Sequence, residues 1–452
     1  MKQLFCLSAI AAVCCAFLFC GNASTAGDAL AGSANDGLDT VRPTGMIAYI
    51  RNDQEIRLID SNGLNDRQIW THANAKGQMG IYDLAWKPDG RELAFSSGHE
   101  AAHSLYAADI YCIRPDGTGL RKITNAPDHK AFAKYKQGSV SITFRNMQYS
   151  FDRAQSSYGV FIVSIAGAKE PQQITLPPGA TKTVVFKEVA DFGNVAQPIV
   201  ATWGNYRWFM PGTDVIAGKS TKAPDFTISG DGIQYFGAYR PMWKNDGSEI
   251  SYRDGLCLVK RIPANPQTGV HHYQPLFGES YPAGSCVWDW GPTAATKNQV
   301  LYSENESEDG SAFYITKEGG NHDPAARQTL FSDLKYQIAN DVRWLPDGSG
   351  FVYSSTSIST EDGSHLSNLF LYNIRTRQTK QLTNLKGVYA RKFCISPSGQ
   401  WIVYEQCKKT NVAEDYMLDI QNLTDVDLWM IRTDGTGEKL LVKNGLGPSW
   451  SR

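Results

Sequence analysis

The chain has 452 residues and a formal net charge of −1, a balance that leaves no broad basic field for nucleic acid or acidic lipid. Its length exceeds the ~100–200 residues of one ordinary domain. Aromatics make up 11% of the chain and Gly and Pro recur at regular places, a mix that suits short strands joined by tight turns.

Residues 1–23 read as an export signal. Lys2 is the charged start, and Leu4 to Phe19 is an apolar run too short and too abruptly ended to span a bilayer. Gly21 to Ala26 supplies small residues for cleavage. Cys20 before Gly21 fits a lipoprotein junction, whereas Phe19 is bulky where such junctions take a small residue. The segment is therefore either a plain cleaved signal or a lipobox lipidated at Cys20, which puts the protein in the periplasm or anchored by lipid to the envelope. No later segment is long and apolar enough to cross a bilayer. Residues 24–43 are rich in Ala, Gly, Ser, Asp and Thr and read as a flexible tether.

From residue 44 a repeat governs the chain. Leu84-Ala-Trp86-Lys-Pro-Asp89-Gly90 returns as Pro241-Met-Trp243-Lys-Asn-Asp246-Gly247, as Val342-Arg-Trp344-Leu-Pro-Asp347-Gly348 and as Phe393-Cys-Ile395-Ser-Pro-Ser398-Gly399. Pro presets φ, Asp or Ser bonds the backbone beyond it and Gly takes the left-handed position, so each copy is a strand turning into the next. Phe95, Tyr252, Tyr353 and Tyr404 follow at one constant distance, and Val287-Trp-Asp-Trp290 to Tyr302 is a divergent copy. A second hairpin repeats Ile110-Tyr-Cys-Ile-Arg-Pro-Asp-Gly117 as Leu428 to Gly435 and Ile56 to Gly63, more loosely as Leu256 to Val259 and Leu369 to Tyr372. Lys122-Ile-Thr124 and Gln381-Leu-Thr383 close the unit. Four strands repeating about every fifty residues make a propeller blade. Ile47 to Ile50 opens as a second strand and Gly447 to Arg452 ends as a first strand, so the two are expected to share one blade, the sixth, and to close the ring.

Residues 137–222 carry no blade motif. Val140 to Phe144, Val160 to Ile165, Thr183 to Phe186 and Ile199 to Trp203 read as strands of a small immunoglobulin-like β-sandwich inserted into the propeller. The expected organisation is thus propeller over 44–136 and 223–452 around that insert, all-β throughout.

These repeats resemble the TolB-like, WD40-like propeller repeat, which implies a scaffold whose partner is an envelope protein or an extended peptide entering the central channel. TolB itself carries an α/β domain before its propeller, and only the tether stands here. Within the same resemblance, oligogalacturonate lyase is a propeller with histidines and a divalent metal. That implies an alternative, a metal-dependent lyase or hydrolase acting on polysaccharide.

Candidate chemistry is sparse. His99-Glu-Ala-Ala-His103 has the zincin spacing, which on a helix puts both imidazoles on one face. Here it falls between two strands, so His99 and His103 are either metal ligands or residues of a solvated loop. His271 and His272 would add ligands only if the fold brought them near. The carboxylates from Ser303 to Asp309 would suit calcium but lack EF-hand spacing and read as a solvated acidic loop, and those from Glu414 to Asp427 read as a second such loop or as a docking segment for a partner. Trp203, Tyr206, Trp208 and Phe209 are sandwich core or an exposed face for carbohydrate or a partner; as one strand, alternation would pair Trp203 with Phe209 and Tyr206 with Trp208. The five cysteines beyond the signal lack CxxC spacing and read mostly as small core hydrophobes. No G-x-S-x-G elbow occurs. The expectation is a non-catalytic binding protein with no cofactor.

Overall fold

A computed structural model describes residues 43–72, 80–101, 104, 106–124, 134–147, 159–193, 196–203, 206–230, 232–234, 237–254, 259–266, 274–276, 287–305, 310–318, 327–335, 337–357, 366–409 and 423–451. The signal, the tether, Cys20, His103, His271, His272, Cys257, Cys286 and most of both acidic loops lie outside them. No helix of the described residues is long and apolar enough to cross a membrane.

The repeated turn forms as its residues dictate. Gly90, Gly247, Gly348 and Gly399 all have φ between 67° and 73°. Asp347 Oδ1 accepts hydrogen bonds from the amide and hydroxyl of Ser349 at 2.9 and 2.7 Å, and Asp246 treats Ser248 in the same way. In the second hairpin Asp116 and Asp434 each accept from the amide and hydroxyl of a threonine two residues on. These bonds hold both carboxyls below the usual range, through the Thr118 and Thr436 hydroxyls first.

In chain order, β1 (Met46–Arg51), β2 (Glu55–Asp60) and β3 (Arg67–Thr71) form one antiparallel sheet. A second is β4 (Ile81–Trp86), β5 (Leu93–Ser97), β6 (Asp109–Ile113) and β7 (Arg121–Lys122). The insert follows as β8 (Gln137–Asn146), β9 (Val160–Ile165), β10 (Gln172–Thr175), β11 (Thr181–Ala190), β12 (Gln197–Trp203), β13 (Tyr206–Thr213), β14 (Ser220–Lys222), β15 (Phe226–Ile228) and β16 (Ile233–Gln234). Three further sheets are β17 (Ala238–Trp243), β18 (Glu249–Asp254), β19 (Val259–Pro263) and β20 (Gln274–Pro275); β21 (Trp288–Trp290), β22 (Gln299–Asn305), β23 (Gly310–Lys317) and β24 (Arg327–Lys335); and β25 (Gln337–Trp344), β26 (Gly350–Ser357), β27 (Ser367–Asn373) and β28 (Gln378–Gln381). The last comprises β29 (Tyr389–Ile395), β30 (Trp401–Lys409), β31 (Leu423–Arg432) and β32 (Lys439–Val442), joined to its predecessor by one parallel bridge from Ser367 to Tyr389. β33 (Leu446–Trp450) then returns to pair with β1, Ile47 opposite Trp450 and Ile50 opposite Leu446.

The propeller thus comprises six four-stranded sheets among the described residues, the first completed by β33. Their inner strands touch in a closed circuit, β33 to β4, β17, β21, β25, β29 and back to β33. Repeated aromatics sew neighbours together. Trp86 Nε1 donates to Ser449 O at 3.1 Å and Trp243 Nε1 to Ala85 O at 3.0 Å, whereas Trp450 Nε1 donates to Thr44 O at 2.8 Å beside its own sheet partner β1. The second-strand aromatics Phe95, Tyr252, Tyr353 and Tyr404 are buried, as core-facing repeat positions should be. Cys112, Cys394 and Cys407 are buried free thiols. One copy of the second hairpin is displaced from its expected position: the third strand after β18 is Val259–Pro263, whereas the repeat placed it at Leu256–Val259.

The insert is a two-layer sandwich. One sheet runs β10-β9-β12-β13-β16 and the other β11-β8-β14, with β14 and β15 both parallel to β8. It extends past residue 222, because Phe226-Thr-Ile228 alternates inward and outward on β8 and β16 pairs with β13. Its core, which includes Phe144, Phe161, Trp208 and Phe226, draws only on residues 140–228. Excising residues 137–234 behind a short linker is therefore expected to leave a propeller that still unfolds cooperatively in thermal circular dichroism. A non-cooperative, molten product would show that the two cores depend on each other.

Candidate functional site

One repeat position lies three residues before the repeat's large aromatic or Ile. In ring order it is filled by Asp83, Arg240, Val287 just before β21, Asp341, Lys392 and Gly447. The ladder breaks beside most of them, with register shifts at Tyr82/Leu84, Tyr239/Met242, Ala339/Asp341 and Ala390/Phe393. Asp83 and Arg240 adopt φ of 47° and 55°. A bulge re-aims its side chain, and here it re-aims charge toward the channel.

Charges of alternating sign then meet across the ring. Lys392 pairs with Asp83, passing over the sheet that contributes only Gly447. Arg240 pairs with Asp341, passing over the one that contributes Val287. Gly and Val leave the room that these chords need. Arg343 Nη1 also donates to Asp341, at 2.9 Å, and the amides of Val342 and Phe393 donate at 2.8 and 3.2 Å. Arg240 N donates to Asp83 Oδ2 at 3.0 Å. Below the chords, Arg391 Nε donates to Glu405 Oε2 at 2.6 Å, and Glu405 Oε1 accepts from Gly447 N at 2.6 Å. The channel is bridged by a belt of ion pairs at this level.

Burial works to raise the Asp83 carboxyl, but Lys392, Arg240 and Arg391 outweigh it and hold it down to about 2. A carboxyl depressed in the folded state stabilises fully above its unfolded value of ~3.9, and this stabilisation fades as pH falls through the folded value. The melting temperature of the parent should therefore fall between roughly pH 4 and pH 2 more steeply than that of Asp83→Asn. Parallel profiles would remove the belt from acid stability.

Above the belt, on the side of the Pro-Asp-Gly turns, the channel opens into a cavity of about 130 Å³ touched by all six inner strands. Ala85, Met242, Asp289, Arg343, Cys394 and Ser449 ring it one position before the repeat aromatic or Ile. Trp and Pro residues form its outer wall. Asp289 is engaged on both oxygens, Oδ1 by Trp290 N at 2.9 Å and Oδ2 by Trp344 N at 2.8 Å.

The histidine motif sits elsewhere, where β5 leads toward β6. Residues 98–101 form a turn, with Ala101 N donating to Gly98 O at 3.0 Å; His103, the other end of the motif, lies outside the described residues. His99 Nδ1 lies 2.9 Å from Ser97 Oγ, and its ring packs against Trp70 and Tyr111 at 4.9 and 4.4 Å. His72, unmarked by any motif, lies 5.9 Å from it. Tyr111 donates to Glu100 Oε2 at 3.2 Å. Among the described residues no three His, Cys, Asp or Glu side chains gather as metal ligands.

This turn is a seat for the insert. Arg207 reaches from β13 to donate to Ala101 O at 3.0 Å and Ser104 O at 2.9 Å. Burial pulls its guanidinium down to about 10, with Asp109 opposing. The aromatic cluster of the insert is sorted by a hairpin rather than by one strand. Trp203 stands opposite Tyr206, and both pack with Trp208 against the sandwich core, whereas Phe209 faces outward. Pairing Trp203 with Phe209 failed because Trp203 and Tyr206 stand opposite each other on two antiparallel strands, which reverses the parity. Sequence reasoning missed the ion-pair belt as well. Its signal was present, as Asp, Arg, Asp and Lys at one offset from the repeat aromatic or Ile.

A family model, the anaphase-promoting complex subunit 4 WD40 domain, matches residues 43–113. No curated relative matches the chain. Among solved structures it is similar to TolB from Acinetobacter baumannii, with TM-score 0.47, 11% identity, and coverage of 90% of this chain and 66% of that one. The chain thus spans just under two thirds of that protein. A second similarity is to a putative TolB from Agrobacterium tumefaciens, with TM-score 0.43, 12% identity, and coverage of 90% and 91%. Another is to an oligogalacturonate lyase in complex with manganese, with TM-score 0.35, 9% identity, and coverage of 89% and 86%.

Proposed function

Starting from a TolB-like, WD40-like β-propeller, we propose a non-catalytic scaffold of the bacterial cell envelope that binds a protein partner on one face. The observation that carries this reading is the seat of Arg207 on Ala101 and Ser104. It fixes the sandwich to the end of the propeller opposite the Pro-Asp-Gly turns. Antiparallel strands send those turns to one end, whereas β5, β26 and β30 finish at the other. An added domain on a rigid ring makes a composite surface suited to a standard interface of ~1,600 Å². The belt bridges the axis, so an extended segment would lie across this face and not thread through the ring. The export signal read in residues 1–23 supports an envelope location.

A photo-crosslinking residue at exposed Leu366 or Lys386 samples that face, and one at exposed Asp116 or Asp434 samples the turn face. In the native envelope the first pair should give a discrete adduct and the second should not. Adducts from neither pair, or equally from both, would remove the reading.

A further inference from the structure

The cavity over the ion-pair belt has an excess of hydrogen-bond donors. Trp344 is 4% exposed and lines the cavity, yet its Nε1 has no acceptor among the described residues. Its counterparts Trp86, Trp243 and Trp450 all donate to a carbonyl, and Trp290 donates to Ser251 Oγ. A buried N–H left unpaired is costly, so such a group marks where an outside acceptor would be stabilised. Arg343, on the same strand, uses Nη1 for Asp341 and Val342 O, and among the described residues Nε and Nη2 have no hydrogen-bond partner. Its side chain is 20% exposed and lines the cavity. The acceptors nearby are already taken: Asp289 is occupied by two amides, and the Ala85 and Ser449 carbonyls by two indoles. Pro88, Pro292, Pro346, Pro397 and Pro448 form apolar wall without N–H groups.

We propose that this mouth binds a small carboxylate, either a free short-chain acid or the C-terminal carboxylate of a chain entering from the turn face. One oxygen meets Arg343 and the other meets the Trp344 indole, while the short apolar stem lies among tryptophan edges and prolines. The size agrees. About 130 Å³ is room for roughly four waters at ~30 Å³ each, well below the ~300–1,000 Å³ of ordinary ligand pockets. That admits a carboxylate with a few carbons. The site lies at the opposite end of the channel from the face assigned to a protein partner, so either reading can fail without the other.

Ligand-observed NMR on the full chain tests this with propionate, a tripeptide and the same tripeptide amidated at its C-terminus. Saturable binding of propionate, with Kd on the order of 1 mM for so few atoms, is expected. Tripeptide binding at least tenfold tighter than propionate, lost on amidation, would identify a chain terminus as the source; similar affinities would identify the free acid. Trp344→Phe keeps the ring and removes only an unpaired N–H, so its melting temperature should hold or rise while affinity drops about fivefold or more. Arg343→Gln should weaken binding by about tenfold. The proposal is overturned if neither acid saturates, if the amide binds as well as the free peptide, or if Trp344→Phe, folded, binds propionate like the parent.

Discussion

Removing Gly447–Arg452 should abolish cooperative folding at room temperature, a loss of more than about 5 kcal/mol against a total stability of ~5–15 kcal/mol for a native fold. The strand so lost is the inner strand of a sheet whose other members are formed from residues 46–71. Trp450 is 5% exposed, and truncating a buried Trp alone costs ~3–5 kcal/mol. Ser449 accepts from both the amide and the indole of Trp86, and Gly447 N donates to Glu405, so the neighbouring sheets on both sides lose bonds. β1 would be left as an open edge bearing buried Ile47 and Tyr49, a template for aggregation. The milder Trp450→Ala should remain folded, with a denaturation midpoint lower by the equivalent of ~3–5 kcal/mol. A truncated chain that melts like the parent would mean that the ring does not depend on this closure.

Asp341→Ala should cost ~3–5 kcal/mol in urea unfolding, the usual penalty for orphaning a buried ion partner. Asp341 is fully buried and accepts from two guanidinium groups and two amides. Without it Arg240, itself 8% exposed, keeps its charge in the channel with only Asp83 nearby to balance it. Burial already presses the Arg240 guanidinium toward the neutral form, and Asp341 is the main opposing influence. Because the cost lies in the orphaned charge, Arg240→Met combined with Asp341→Leu should recover most of the loss, as apolar replacements of buried pairs often do. A double variant as unstable as the two single effects added together would assign the loss to channel packing instead.

The two predictions differ in how far the sequence anticipated them. Closure was legible because it depends on local patterns. A strand that opens without its first partner and a final Gly-Pro-Ser-Trp segment that lacks a second are complementary fragments of one repeat. The belt was not legible in the same way. Asp83, Arg240, Asp341 and Lys392 occupy one repeat position, but sequence gives no distance between inner strands, and the partners that meet lie 101 and 309 positions apart. Nor does it say that Gly447 and Val287 leave gaps for chords. The histidine motif is legible only in part: His99 and Glu100 lie in a turn over residues 98–101 that meets the insert, and His103 lies outside the described residues. Arg207 drew no notice in sequence because a lone arginine in a strand has no pattern; its importance is that it is buried on two carbonyls of another segment.

By itself the sequence determined the all-β class, the repeat unit, its turns and the pairing that closes the circle. Each of these follows from dihedral preference and alternation within a few residues. Tertiary structure alone decided where the sandwich ends, which aromatics share a face, which charges cross the axis and which indole lacks an acceptor. Those outcomes depend on distances between segments remote in the chain, and a local propensity contains no information about the length of a gap.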